Sequence, residues 1–487
     1  MHSISGDRLI NPDLAPVPPE RRTWSKWHIA ALWVGMAVCI PTYTLAAGLI
    51  EQGMNWWQAV LSILLGNLIV LIPMTLNAMP GTKFGIPFPV LLRSSFGTLG
   101  SNIPALMRGV VACGWFGIQT WVGGSAIYVA ASILFDFDPT LKSILPGVGI
   151  SAGELVCFLI FWAINVFFIW FGMKSIKWLE VVSAPFLLAV AFVLLWWALT
   201  AAGGLGPIFN QPSRFGGTAE FLPVFAAGVT AMVGYWATLS LNIPDFSRYA
   251  RSQKDQITGQ IMGLPTTMTL YSFVGIVVTS ATVVVFGQAI WDPVQLMEKF
   301  TNRFLCLVAL FILAVATLST NLAANVVSPA NDFSNLAPRR ISFRTGGILT
   351  ALIGIFMQPW RLYADPAGYI FVWLIGYSAL LGPVAGIMIA DYFVYRRQRL
   401  EVDELYESRG RYSFSRGFSL VGLGALFLSI LPNLPGFLVA VHWLPAEQVP
   451  SLLVSLYNYA WFVGFTLGFV FYLILRYLSH HLKNFRS

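Results

Sequence analysis

Charge is what this chain lacks. Of 487 residues only 10% are Asp, Glu, Lys or Arg, against 57% hydrophobic, and the mean hydropathy is +0.71. That balance excludes a soluble enzyme core and marks an all-α integral membrane protein with room for about a dozen spans of ~20 residues. Cysteine is scarce too. Cys39, Cys113, Cys157 and Cys306 sit in apolar stretches without metal-ligand spacing, so neither a disulfide framework nor a zinc site is implied. The five histidines (His2, His28, His442, His480, His481) lie toward ends or loops, which leaves a proton relay through buried imidazoles without support. No phosphate-binding glycine loop and no H-E-x-x-H pair occurs, so ATP-driven pumping and metal-assisted hydrolysis are unsupported and no organic cofactor is expected.

What is abundant is apolar sequence in blocks. Twelve segments can be drawn, approximately 28–50, 56–79, 103–134, 152–172, 176–201, 222–244, 260–289, 304–330, 346–360, 368–393, 417–441 and 451–476. Residues 1–27 are polar and proline-containing, lack the apolar core of a cleavable signal, and read as a flexible cytoplasmic arm. With the N-terminus inside, twenty-three Lys and Arg fall on the inner face and five on the outer, with Arg108 inside the third segment. The positive-inside bias places both termini in the cytoplasm, the tail 477–487 included, and locates the protein in the inner (plasma) membrane. It also accounts for the net charge of +8 without a nucleic-acid partner.

Glycine and proline interrupt two segments. The first carries Gly35 and Pro41; the sixth carries Gly228, Gly234 and Pro244. These segments begin two successive groups of five, 28–201 and 222–393. Five is odd, so the second group enters the membrane with reversed orientation. That arithmetic is what an inverted-repeat transporter requires, with binding sites at broken helices near the midplane. The loop 394–416 and two accessory segments within 417–476 would follow.

Uncharged polar groups then mark candidate contacts. In the third segment Trp115 and Gln119 stand at i, i+4 and share a face. Gln119 offers a donor and an acceptor together, which matches the edge of a cyclic imide. Tyr235 and Trp236 put rings beside the possible break in the sixth segment, and two tryptophans on different helices could sandwich a flat ring. In the eighth segment Ala316, Ser319 and Thr320 fall at i, i+3 and i+4, while Asn325 lies a turn and a half further on. Two hydroxyls, together with unwound carbonyls near Gly35 and Val38, could replace the water around a small hard cation, and Asn325 could read the guest's opposite edge. The bland alternative is that Ser319 and Thr320 bond back to carbonyls one turn earlier. Among charged residues, Asp245, Arg248, Asp332 and Asp391 are expected near cytoplasmic helix ends, solvated or locally paired, and Arg108 is expected to snorkel or cap a carbonyl.

The stretches Gly85–Gly97, Trp115–Trp121, Leu241–Tyr249, Ser319–Asn325 and Gly382–Phe393, in that order, resemble the nucleobase:cation symporter-1 family of purine, pyrimidine, hydantoin and allantoin permeases. The resemblance covers roughly residues 20–480. It implies a five-plus-five inverted-repeat fold of the sodium-coupled amino-acid transporter type, followed by two further helices. The substrate contacts of the family's sodium-dependent hydantoin transporter fall on Trp115, Gln119, Trp236, Asn325 and Leu374. Its sodium ligands fall on Gly35, Val38, Ala316, Ser319 and Thr320. Two positions depart from that pattern: Cys39 replaces a first-helix Gln, and Tyr235 replaces a Gly, which argues against large hydantoin substituents. The motifs around Leu241–Tyr249 resemble bacterial allantoin permeases more closely. The resulting expectation is a monomeric symporter for a small neutral imide-containing heterocycle, allantoin or uracil foremost, coupled to Na+. A proton-coupled cytosine, purine or hydantoin permease is the alternative, and a non-transporting receptor with the same pocket a remote one.

Overall fold

The computed structural model describes residues 9–139, 143–171, 189, 191–300 and 302–484. Helices account for the fold, and no strand occurs among the described residues. Among the described residues nine helices are long and apolar enough to cross a membrane, and a bent pair makes up to ten. Twelve segments were expected, and the other two are identifiable. The ninth is Phe343–Phe356, 14 residues, about 21 Å at 1.5 Å per residue and short of a ~30 Å hydrocarbon core. The fifth is seen only as Ala191–Ala201; most of 176–201, Glu180 included, lies outside the described residues.

The bent pair is the first segment, Lys26–Ala37 and Ile40–Glu51, which meet at 59°. Its local cause is readable. Cys39 is extended (φ −150°, ψ 163°), and Pro41, with fixed φ and no N–H, sits in the first turn of the second half. In the sixth segment the helix Thr218–Tyr235 stops at Trp236 and resumes as Ala237–Asn242. Gly234, expected to supply that break, is helical. Its missing side chain instead lets the helix approach Ser378 and the Leu374 carbonyl of the tenth segment. The eighth segment also has a joint: Arg303–Asn325 ends at Asn325, and Val327–Leu336 follows. The tenth, Gly368–Tyr395, carries wide π-helical turns at both ends, Gly368–Leu374 and Ala390–Tyr395, a form that recurs at functional positions.

Packing separates a buried centre from a rim. In the most apolar stretch of Gly368–Tyr395, 83% of residues are buried, against 28% for Leu420–Ala440 and 17% for Ala460–His481. The last two spans are therefore peripheral, and Phe427, Leu420 and Ile474 point outward where lipid belongs. Ala460–Asn484 nevertheless seats closely on the tenth segment. Gly382 and Gly386 approach the Trp461 and Phe465 carbonyls, while Gly464 and Gly468 approach Pro383. Small residues four apart on both helices permit backbone contact where no hydrophobic driving force between helices exists.

The N-terminal arm is not the free tether that its composition suggested. Leu14 is fully buried. The Leu9 N–H donates to the Tyr406 carbonyl, the Val17 N–H to that of Gly85 and the Trp24 N–H to that of Tyr249. Arg93 donates to the Leu9 and Leu405 carbonyls and to Asn335; burial pulls this guanidinium down to about 10, so it stays charged at neutral pH. The strap is held by backbone groups and a few side chains, which hydropathy does not register.

Candidate functional site

Four interrupted or buried helices converge on one small cavity of about 30 Å³. Its walls are Met36 and Cys39 from the bend in the first segment and Trp115 and Gln119 from the third. Tyr235, Trp236, Thr238 and Leu239 come from the joint in the sixth, and Thr320, Ala324 and Asn325 from the eighth. A cavity of that size suits one or two waters. A heterocycle needs these walls to part.

Each wall group is held differently. The buried Gln119 Oε1 has no hydrogen-bond partner, a costly state for an amide oxygen away from water. Asn325 is tethered, its Nδ2 donating to Asn321 Oδ1 at 3.0 Å. Tyr235 has its hydroxyl within 3.2 Å of Cys39 Sγ and 3.1 Å of Thr42 Oγ1, so it spans from the sixth segment to the bend in the first. The departure at Cys39 and the departure at Tyr235 are thus in contact. Trp236 Nε1 donates to Asn67 Oδ1 at 3.0 Å, and the ring stands edge-on to Trp33. Trp115 meets Tyr235, Trp373, Tyr369 and Tyr377 edge-to-face at 5.2–6.4 Å, the geometry that ring quadrupoles favour. Leu374 is fully buried but is not among the walls; its carbonyl lies against Gly234.

The candidate cation groups lie on the same two helices. The Cys39 amide, which a continued helix would give to the Gly35 carbonyl, donates to Ala37 instead. The bend therefore releases the Gly35 carbonyl from the ladder, and Val38 is its hinge residue (φ −82°, ψ 79°). Ala316, Ser319 and Thr320 are buried. Thr320 Oγ1 donates to the Ala316 carbonyl at 3.2 Å, the back-bonded state that was the bland expectation, yet its lone pairs remain available. Among the described residues no group of three His, Cys, Asp or Glu could hold a metal. Neutral oxygens of this kind fit a hard monovalent cation: carbonyls at an unwound turn plus hydroxyls.

Access differs between the two faces. On the face carrying the basic loops, a cleft of about 620 Å³ opens between the arm (Pro12, Val17, Trp24), Arg248, Ala323 and Met36; Met36 also lines the small cavity. On the opposite face Gly48 packs against Pro366 and Ile370, and the helix Pro293–Met297 lines a small apolar void together with Tyr43 and Tyr271.

Sequence reasoning expected Asp391 to pair locally, as it does with Arg396, but missed a sealed long-range ion pair. Arg108 neither snorkels nor caps a carbonyl: its Nη1 meets Asp332 Oδ2 at 3.2 Å, with both groups sealed from solvent. Asp391, also fully buried, takes Arg396 Nε at 2.8 Å and bonds from Ser94 and Tyr472. These charges lie at the ends of spans as expected, but tertiary packing covers them. Their pairing across 224 residues, in the case of Arg108 and Asp332, leaves no local signal.

Known proteins share this construction. Residues 16–464 match the family model described as permease for cytosine/purines, uracil, thiamine, allantoin. The chain is 42% identical over 482 residues to the purine-uracil permease NCS1 of Arabidopsis thaliana, covering 98% of this chain and 80% of that protein. It is 42% identical over 470 residues to the allantoin permease of Bacillus subtilis, covering 96% and 93%. The inward-facing conformation of Mhp1 superposes with a TM-score of 0.80 at 25% identity, over 98% of this chain and 95% of that one. Match and fold agree, and the chain belongs to the nucleobase:cation symporter-1 family of cytosine, purine, uracil, thiamine and allantoin permeases, a family of multi-pass membrane transporters and not of enzymes.

Proposed function

We propose that this protein imports a small, neutral, imide-containing heterocycle together with Na+ across the plasma membrane, its basic face cytoplasmic. Allantoin and uracil are the foremost candidates, a hydantoin the third. The observation that carries this reading is the unpartnered Gln119 Oε1 in a cavity walled by two indoles and a second amide. Such a cavity suits a flat ring bearing N–H donors. Trp115 and Trp236 offer it aromatic surface, Gln119 and Asn325 meet its amide edges, and Leu374 of the tenth segment backs the sixth at Gly234. The names of the two 42%-identical relatives, a purine-uracil and an allantoin permease, agree with that guest class. Tyr235, tied to Cys39, fills space that a bulky substituent needs.

Gly35, Val38, Ala316, Ser319 and Thr320 would hold Na+, which supplies positive charge that draws the first and eighth helices together. Each ligand drives alternation only through its differential affinity for the two states. The segments 28–201 and 222–393 are the two inverted repeats of a monomer.

The test is uptake of labelled uracil and allantoin by vesicles carrying the purified protein, with and without an inward Na+ gradient. Accumulation that follows the gradient is the expected result. Accumulation that follows only a proton gradient rejects Na+ coupling, and binding without accumulation makes the protein a receptor.

A further inference from the structure

Three side-chain amides stand in series between the scaffold and the cavity. Asn165, in Ala152–Phe171 and fully buried, donates Nδ2 to the Phe161 carbonyl at 2.8 Å. That bond leaves its Oδ1 for the eighth segment, where Asn321 Nδ2 reaches it at 3.1 Å. The same Asn321 nitrogen also meets Thr120 Oγ1 and the Phe116 carbonyl, each at 3.2 Å. Asn321 Oδ1 in turn accepts from Asn325 Nδ2 at 3.0 Å, and Asn325 lines the cavity.

Every amide in this row donates away from the cavity. Turning Asn165 or Asn321 would set N–H against N–H at one junction and oxygen against oxygen at the other, and turning Asn325 would set its oxygen against that of Asn321. Asn165 is pinned by a carbonyl that can only accept, and Asn321 by an acceptor on each of two neighbouring helices. The orientation of Asn325 is therefore dictated from behind, which removes the usual two-fold ambiguity of an amide. One of the two N–H groups on its Nδ2 is taken by Asn321. Among the described residues its Oδ1 takes no hydrogen bond.

We infer that Asn165 and Asn321 are positioning residues that hold the Asn325 carbonyl oxygen for the guest, so that the permease demands a ring N–H donor at that edge. The inference rests on the transport reading above and adds to it the polarity of one contact. With Gln119 Oε1, the cavity then offers two acceptors on two helices, matched by a ring bearing two N–H groups. A site built to accept a hydrogen bond rejects an analogue lacking the donor far more strongly than an apolar pocket rejects an extra methyl. Methylating the ring nitrogen that faces Asn325 should be heavily penalised.

Selectivity is read as the ratio of inhibition constants of each singly N-methylated uracil to uracil itself, against labelled uracil uptake. This ratio does not depend on how much protein reaches the membrane. For one N-methyl isomer the wild-type ratio should be large, and Asn165→Leu, which never touches the guest, should lower it by about tenfold. Asn165→Asp, whose carboxylic acid form can accept from Asn321 and donate to the Phe161 carbonyl, should restore it. Thr120→Val removes one tether of Asn321 and should lower the ratio less, and it decides the matter if Asn165→Leu does not fold. An unchanged ratio in both apolar variants, with only the maximal rate reduced, overturns the inference while the transport reading stands. No uracil or allantoin uptake by the wild-type protein overturns the transport reading first and the inference with it.

Discussion

Gln119 and Asn325 present the same chemistry to the cavity but are held in opposite ways. Asn325 is backed by Asn321, whereas the Gln119 oxygen has no protein partner. Removing either should cost the guest one buried hydrogen bond. For Gln119→Leu the apparent KM for uptake should rise by about tenfold, corresponding to ~1.4 kcal/mol. Asn325→Ala should abolish measurable uptake at unchanged membrane abundance, because it also strands Asn321; unimpaired transport would remove Asn325 from the site. On the proposed function Tyr235 sets size rather than polarity. Tyr235→Gly empties the space beside Cys39 and Thr42, and inhibition by hydantoins with bulky ring substituents should strengthen relative to uracil. Equal inhibition before and after would show that another group limits the pocket. Thr320→Val keeps the shape and removes a hydroxyl. The Na+ concentration for half-maximal uptake should rise by about tenfold or more, since a neutral methyl cannot replace an oxygen ligand. An unaltered Na+ response rejects that ligand.

At the scale of the element, proline and glycine do distinct jobs that look alike in sequence. Pro41 and the extended Cys39 break the first helix, but Gly234 breaks nothing and serves the approach of the tenth segment. The same is true of Gly386, whose place against the Phe465 carbonyl admits no side chain. Gly386→Leu should lower stability by about 1–3 kcal/mol through overpacking, seen as a lower thermal midpoint in detergent. Phe427→Ala, on the lipid-facing rim, should leave that midpoint nearly unchanged. Equal shifts in the two variants would mean that the tenth and twelfth helices do not rely on this contact. The broken helices were legible because proline is unambiguous about backbone hydrogen bonds. Their bounds were not: the joint in the sixth lies at Trp236, a residue with no breaking tendency of its own.

For the whole molecule, the strap formed by residues 9–24 ties the basic face together. It lines the cleft that leads toward Met36, and Leu14 is its anchor. Leu14→Asp would bury an unpaired carboxylate, a cost of several kcal/mol that detachment relieves. Trypsin cleavage at Arg21 and Arg22 should then accelerate by about tenfold or more, because local opening governs cleavage, while spectroscopic helix content stays the same. No change in cleavage rate would indicate that the arm is held without Leu14. Arg108 and Asp332 act at the same scale, since removing one partner of a sealed pair leaves the other uncompensated.

The sequence by itself determined the solvent and the material. Scarce charge and block hydropathy specify a membrane-spanning helical chain, because backbone polar groups in hydrocarbon must be satisfied within each helix. The spacing of Trp115 with Gln119 and of Ser319 with Thr320 was readable for the same reason: one helix turn decides which side chains share a face. Tertiary structure alone decided which faces meet. That Asn165 stands behind Asn321, that Arg108 finds Asp332, and that the arm lies down on the loops are matters of contact between segments far apart in the chain. A hydrogen bond is directional and local in space, so it leaves no period in the sequence from which it could be read.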